Sequence, residues 1–520
     1  MFEKTVLDML KFLNKNLIWI LFLTSCIVGI ANFKSYGISW DEEAQQLIGE
    51  KNYSYIFSGD KSFHQFQDRD YGVAFELPLI FIEKALGLTD SRDIYLCRHL
   101  CSHFFYIVGA LFCFLLIELL YSNKLLSAIG FLLVMLNPVL YAHSFYNSKD
   151  IPFMVMFFIC FYIAVKAFRK QNLINFLLLG IATALLVNMR LMGILFFAVV
   201  LFCLILDYFI PVANKISGKS RVAVILTFIG ATALFLYGSW PFLWERPFAN
   251  FVLAFQNMSN FRWDGLVLFK GEYMRTTALS PWYIPTWFCI TNPILYLGIG
   301  FCGAILIILN FIKKPRIYIV NNDLRFNLIF GICFCAPVIV IILLHSVLYD
   351  SWRQLFFIYP AFVMLAIYAI HKISATSFRK YFFVLLFSVF TYILYLMISL
   401  NPHQQVYFNR FVDLNTPEKL RSQYELDYWG ASYKQSLFYI LENDKAPQIK
   451  ISVENYPGWQ NYKIIPKSER GRIQFVNIEE ADYFVTNYRD HPYIYEDLQD
   501  KSWFKVKVFN NTINEVFKLK

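Results

Sequence analysis

Apolar runs long enough to cross a bilayer as helices recur from Leu17 to Leu400, separated by polar loops, and then stop. A chain in lipid must satisfy its own backbone hydrogen bonds, so this pattern folds as a bundle of spanning helices. The runs fall near residues 17–33, 97–120, 125–142, 151–167, 172–188, 191–210, 221–239, 286–312, 326–346, 354–371 and 381–400, about eleven spans. With 58% hydrophobic residues and a mean hydropathy of +0.47, the 520-residue chain is expected to be a polytopic α-helical membrane protein.

Residues 1–400 form the transmembrane part, with long polar loops at 34–96 and 240–285. Residues 401–520 hold no such run. Segments such as QIKISVE and ADYFVTNY alternate there with polar turns, and WFKVKVFNNTINEVFKL reads as a hairpin around Asn510 and Asn511. The tail is therefore expected to be a small C-terminal α/β domain. The first apolar run follows Lys4, Lys11 and Lys15 with no small-residue cleavage site behind it, the pattern of a retained signal anchor. All ten cysteines lie in or beside apolar segments, which argues against a disulfide framework or a paired-cysteine zinc site.

The net charge of +10 is scattered through short loops rather than gathered on one face, so nucleic acid is not the expected partner. It reports topology instead. Lys124, Lys166, Arg169, Lys170, Lys215, Lys219, Arg221, Lys313, Lys314, Arg316, Arg325, Lys372, Arg379 and Lys380 fall in alternate loops, which the positive-inside rule places in the cytoplasm with the N-terminus. The two long loops and the tail then face outward from the cytoplasmic (inner) membrane, and most of the out-of-place polar residues lie on that side. A transporter would set ionisable groups near the midplane instead.

The first outer loop carries SYGISWDEEAQQL, with Asp41, Glu42 and Glu43 in a row. Ser39 and Glu42 have capping-box spacing, so a helix lying on the membrane surface accounts for the motif. The same helix leaves Asp41 free to serve as a general base, with Glu42 as the cap. In HSFYNSKDIPFM, Lys149 and Asp150 precede another span, either as an interfacial ion pair or as a phosphate-holding pair. Arg190 interrupts a nearly continuous apolar stretch with no acidic residue near it in sequence, which favours an anion as its partner. Arg98 and His99 open the second span and raise the same question.

Trp240, Trp244, Trp282, Tyr283 and Trp287 stand at span ends, as an aromatic belt would. In LYDSWRQLFFIYP, Tyr349, Asp350, Trp352 and Arg353 combine aromatic rings with charges, a pairing suited to sugar binding. No Gly-rich phosphate loop, HExxH or GxSxG motif occurs in a fitting context, so a soluble nucleotide is not the expected donor. Carboxylates of this kind are also able to hold a divalent cation.

GISWDEEAQ, YNSKDIPF, NMRLMG, LSPWYIPTWFCITNP and LYDSWRQLFFIYP, in this order, resemble the membrane glycosyltransferases of the GT-C superfamily. The likeness is to bacterial members of glycosyltransferase family 39, related to protein O-mannosyltransferases and lipid A aminoarabinose transferases. QQVYFN, ELDYWGASYKQSL and ADYFVTNYR look like the C-terminal region of bacterial members, so the resemblance covers most of the chain.

It implies a GT-C fold and transfer of a sugar from a polyprenyl-phosphate donor to a glycan, lipid or protein acceptor on the outer face. Asp41 matches the family's acidic base or acceptor organiser, and Glu42 the second member of its acidic pair. Lys149 and Asp150 match the second acidic motif, and Arg190 a phosphate-binding position. The tail shows no trefoil-like repeat, so a protein acceptor is not implied. Two other classes fit the same motifs: a flippase or transporter of lipid-linked sugars, and a polysaccharide polymerase or ligase using a diphosphate-linked donor.

Overall fold

The computed structural model of the chain describes residues 2–210, 218–259 and 263–520; at 2–14, 218, 219 and 259 it describes the backbone alone. Lys215 lies outside the described residues, and Lys4, Lys11 and Lys219 are described by their backbones only.

Helix α1 (Phe2–Asn32) runs into a loop carrying two shorter helices, α2 (Glu42–Ser58) and α3 (Glu76–Ala85). Then follow α4 (Ser91–Tyr121), α5 (Lys124–Met135), α6 (Pro138–Tyr146), α7 (Asp150–Arg169), α8 (Leu173–Met189), α9 (Ile194–Phe209) and α10 (Gly218–Ser239). A second long loop holds α11 (Pro247–Ser259) and a hairpin of β1 (Leu266–Phe269) and β2 (Glu272–Arg275). Helices α12 (Tyr283–Thr291), α13 (Ile294–Lys313), α14 (Pro315–Val320), α15 (Asn322–Leu343), α16 (Tyr359–Ser374) and α17 (Arg379–Ser399) complete the bundle.

Among the described residues nine helices are long and apolar enough to cross a membrane, or ten with α5 and α6 taken as one broken span, and α8 adds a shorter apolar helix. This is a multi-pass membrane protein. The expected run at 125–142 is not one straight span: α5 and α6 meet at 64°. The cause is local, because Pro138 has no N–H to offer and disfavours helical backbone at Asn137. Asn137 instead caps α6, accepting from the Leu140 N–H at 3.2 Å, while its own amide donates to Asn292 at 2.7 Å. Asn292 and Pro293 likewise separate α12 from α13 within the run expected at 286–312.

Helix α4 packs on α5 and α7, α8 on α7 and α10, and α13 on α16. The last contact is close enough to require glycine, since a Cβ at Gly303 would lie 1.9 Å from the Leu365 carbonyl oxygen. At the end of the bundle opposite the α6–α7 junction, two basic loop residues are ion-paired: Arg169 with Asp323 at 2.7 Å and Arg325 with Asp207 at 2.5 Å.

The tail contains a five-stranded sheet of β3 (Ile449–Val453), β4 (Ile473–Phe475), β5 (Tyr483–Thr486), β6 (Ser502–Val508) and β7 (Asn511–Lys518), in the order β4-β3-β5-β7-β6. The first three strands are parallel, and β6–β7 is an antiparallel hairpin turning through Phe509 and Asn510. One face of the sheet is covered by α18 (Tyr433–Asn443), with Leu437 and Ile440 in a core shared with Ile451 and Val485. Residues between Leu400 and Tyr433 belong to a different core. Val406, Tyr407, Phe408, Tyr424, Tyr428 and Trp429 pack into the apolar interior of the helical bundle, and Phe269 of β1 forms a bridge with Tyr424. This connecting stretch lays the tail directly over the end of the bundle where the two long loops gather.

Candidate active site

The local fold of the SWDEE stretch separates the roles of its two leading carboxylates. Helix α2 begins at Glu42, and the Glu42 carboxylate reaches back to accept the Ser39 N–H at 2.6 Å, one half of a capping box. The other half is missing, because the Ser39 hydroxyl donates to the Tyr146 carbonyl at 3.1 Å. Asp41 makes no side-chain cap. Its carboxylate turns away from the helix and stands 3.4 Å from the Arg353 guanidinium, 28% exposed.

Asp150 is the first residue of α7, where the helix dipole favours negative charge. Asn147 fixes it from both sides, accepting the Asp150 N–H at 2.8 Å and donating its amide to the carboxylate at 3.1 Å. Two guanidiniums bind that carboxylate: Arg190, from the residue that ends α8, and Arg353 at 3.2 Å. Lys149 is not the ion-pair partner of Asp150. Its ammonium rests over the Tyr71 ring, 4.6 Å from the centroid. Arg190 was expected to lack an acidic partner, and the correction is Asp150, forty positions away in sequence.

Arg353 is the hub. It is 1% exposed, stacked between Tyr349 and Trp429 with ring centroids at 4.8 and 4.9 Å, and bound to Asp350 through Nη2 at 3.0 Å and Nε at 3.2 Å. Nη1 serves Asp150 and Asp41. Its three nitrogens all face carboxylates, which leaves this guanidinium little to offer a ligand. It organises the site rather than clamping a phosphate. The partly exposed cations beside it are Arg190 and Lys149.

Three sequence expectations change for physical reasons. Arg98 is buried between the carboxylates of Glu76 and Glu83, the latter at 2.7 Å, and His99 is bonded to Glu42 at 2.9 Å, so both brace the first loop instead of facing a substrate. Trp352 is fully buried, donating its indole N–H to Thr291 at 2.8 Å, and so offers no sugar-stacking face. Trp240, Tyr283 and Trp287 are likewise core residues rather than a belt, whereas Trp282 is 69% exposed.

Two residues that sequence reasoning did not place here come from the tail. Arg489 donates to Asp350 at 2.8 Å and Trp429 donates its indole N–H to the same carboxylate at 3.3 Å. Arg489 keeps its charge against the cost of burial because Asp350 and Glu425 raise its pKa. Glu425 lies nearby, where burial pushes its carboxyl up to about 8 although Arg489 opposes the shift.

Among the described residues no three His, Cys, Asp or Glu side chains are grouped to hold a metal ion. The oxygen atoms of Asp150 and Asp350 face guanidiniums, a donor arrangement that does not fit a divalent cation.

An apolar cavity of about 490 Å³ opens on the side of the bundle, lined by Phe157, Phe196, Phe202, Ile332 and Phe357 and reaching Arg325 toward the opposite end. Phe357 shares the short 3₁₀ turn of Arg353, and Phe157 lies seven positions into α7 from Asp150, about 10 Å along the helix. Phe202 and Ile332 are exposed, on a surface that lipid covers in a membrane-embedded chain.

No protein-family model and no curated protein matches the chain. Solved structures do. The oligosaccharyltransferase of Archaeoglobus fulgidus, tethered with an acceptor peptide containing the NVT sequon, aligns with a TM-score of 0.50 at 10% identity, over 91% of this chain and 65% of that one. This chain thus spans a little under two-thirds of that protein's length. The AglB oligosaccharyltransferase of the same organism, in complex with an inhibitory peptide and a dolichol-phosphate, aligns at 0.47 and 10% over 91% and 70%. ArnT from Cupriavidus metallidurans, bound to undecaprenyl phosphate, aligns at 0.47 and 12% over 96% and 97%. The chain has the GT-C fold, that of the membrane glycosyltransferases.

Proposed function

We propose that this protein is an inverting glycosyltransferase that moves a sugar from a polyprenyl-phosphate donor to a cell-envelope acceptor on the outer face of the cytoplasmic membrane. Residues 1–400 form its catalytic part and residues 401–520 an extracytoplasmic domain. The observation that carries the reading is one cluster: Arg353 joins the partly exposed carboxylate of Asp41 to that of Asp150, which Arg190 also binds, and Lys149 is the residue before Asp150. The solved neighbours hold a dolichol-phosphate and an undecaprenyl phosphate, which gives the lipid-linked donor its chemical precedent.

In this reading the prenyl chain lies in the cavity, and the donor phosphate meets Arg190 and Lys149. Asp41 takes the proton of the acceptor hydroxyl as that oxygen attacks the anomeric carbon. The bond from the anomeric carbon to the phosphate oxygen breaks, and its electron pair leaves with the lipid phosphate, stabilised by the two cations. One displacement inverts the anomeric centre. A flippase has less support, since the polar groups collect at one end of the bundle.

The test is incubation of the purified protein in liposomes with a panel of undecaprenyl-phosphate and undecaprenyl-diphosphate sugars. Release of undecaprenyl phosphate from one donor supports the proposal. Movement of labelled lipid between leaflets without cleavage replaces it with the flippase reading, and turnover confined to diphosphate-linked donors replaces it with a polymerase or ligase.

A further inference from the structure

Asp350 and the residue after it adopt an unusual backbone. Their φ values are +56° and +64°, the left-handed region that non-glycine residues seldom occupy, and they do so in succession immediately before Trp352 and Arg353. Such a turn persists only where its surroundings over-determine it. Here the surroundings are mostly the tail. Arg489 binds one oxygen of Asp350 at 2.8 Å, and Trp429 binds the other at 3.3 Å. The Tyr283 hydroxyl accepts the Ser351 N–H at 3.2 Å from the bundle side.

Arg489 is itself fixed, donating to the Tyr428 carbonyl and lying over the Trp40 ring with its centroid 4.7 Å away. Trp40 immediately precedes Asp41, and the tail holds its backbone as well. Its N–H donates to the Trp429 carbonyl at 3.1 Å, and its carbonyl accepts from Gln460 at 3.1 Å. Arg489 thus touches both strands of chain that set the cluster: the turn that aims Arg353, and the loop that presents Asp41.

We infer that Arg489 is a positioning residue, acting from the C-terminal tail through Asp350 and Arg353 to hold Asp41 in its working place. The inference rests on the reading of Asp41 as the base. It makes the tail an integral part of the catalytic site rather than an appended binding module, and it assigns Asp350 to structure rather than to proton transfer.

The experiment uses full-length protein in liposomes, comparing wild type with Arg489→Ala, Arg489→Lys, Asp350→Asn and the Arg489→Ala/Asp350→Asn double variant. A misplacement of the base lowers kcat by about 10- to 100-fold while donor KM stays within about twofold. Arg489→Lys keeps the charge without the forked geometry and recovers part of that loss. The double variant falls no further than the worse single variant, because the two residues act in one chain. Independently of turnover, hydrogen exchange in the segment 346–358 quickens in Arg489→Ala while α13 is unchanged.

Additive kinetic losses, or unchanged exchange in that segment, overturn the inference. Should Arg489→Ala not fold, Arg489→Lys carries both measurements. A wild type that turns over no polyprenyl-phosphate sugar defeats the glycosyl-transfer reading alone, because the exchange result still decides whether Arg489 holds the turn.

Discussion

Replacing Arg353 with methionine removes the one side chain that touches Asp41, Asp150 and Asp350 together. Breaking a buried ion pair by deleting one partner costs about 3–5 kcal/mol, because the remaining charge stays buried. Two buried carboxylates lose a partner here, at 1% and 4% side-chain exposure. Each keeps another, since Asp150 retains Arg190 and Asp350 retains Arg489 and Trp429. Asp41 is 28% exposed, and water replaces its contact at 3.4 Å. The total should therefore resemble one broken pair rather than two, about 3–5 kcal/mol. Unfolding followed by tryptophan fluorescence in detergent, with wild type alongside, measures it. A single variant as stable as wild type refutes the hub.

Three further outcomes follow from other contacts. A Cβ at Gly72 would lie 1.4 Å from the Asn188 carbonyl oxygen, and Asn188 also binds the Val73 N–H at 2.7 Å, so Gly72→Ala must push the first long loop off the end of α8. It should lower both melting temperature and turnover by displacing neighbouring Arg190; wild-type values for both contradict the packing. Lys149→Met should raise donor KM by about 10- to 100-fold, the worth of one charge-assisted phosphate contact, with a smaller change in kcat; an unchanged KM removes Lys149 from the phosphate site.

The third concerns pH. Glu425 titrates at about 8 in the folded chain, because burial disfavours its charged form, and near 4.3 when unfolded. Its neutral form favours folding fully below the unfolded value, and that contribution is lost as pH rises toward about 8. Glu425→Gln cannot ionise, so its melting temperature should fall less steeply than that of wild type between about pH 5 and pH 8. Parallel curves contradict the burial of an uncharged carboxyl.

The helical bundle was legible because hydropathy reports directly on which segments lipid accepts, and the β6–β7 hairpin because its strands and turn lie adjacent in sequence. The break at Asn137 and Pro138 carried its own signal in the proline. Asp41, Lys149, Asp150 and Arg190 stood out as polar residues bordering apolar runs. What sequence could not supply was pairing at a distance. Arg98 reads as a candidate ligand until Glu76 and Glu83 fold onto it, and the acidic partner of Arg190 is out of sight until α7 brings Asp150 beside it. Arg353 reads as part of a sugar-binding group, yet three aspartates from three separate segments occupy it. Trp429 and Arg489 stood in the tail motifs ELDYWGASYKQSL and ADYFVTNYR, but their shared partner Asp350 lies 79 and 139 positions away.

The most direct measurement compares wild type with Asp41→Asn in liposomes, using whichever undecaprenyl-phosphate sugar the wild type turns over and following both donor binding and transfer. The account predicts donor binding near wild type and a kcat lower by about 100- to 10,000-fold, the range for loss of a positioned general base. Transfer at the wild-type rate by a correctly folded Asp41→Asn would contradict it.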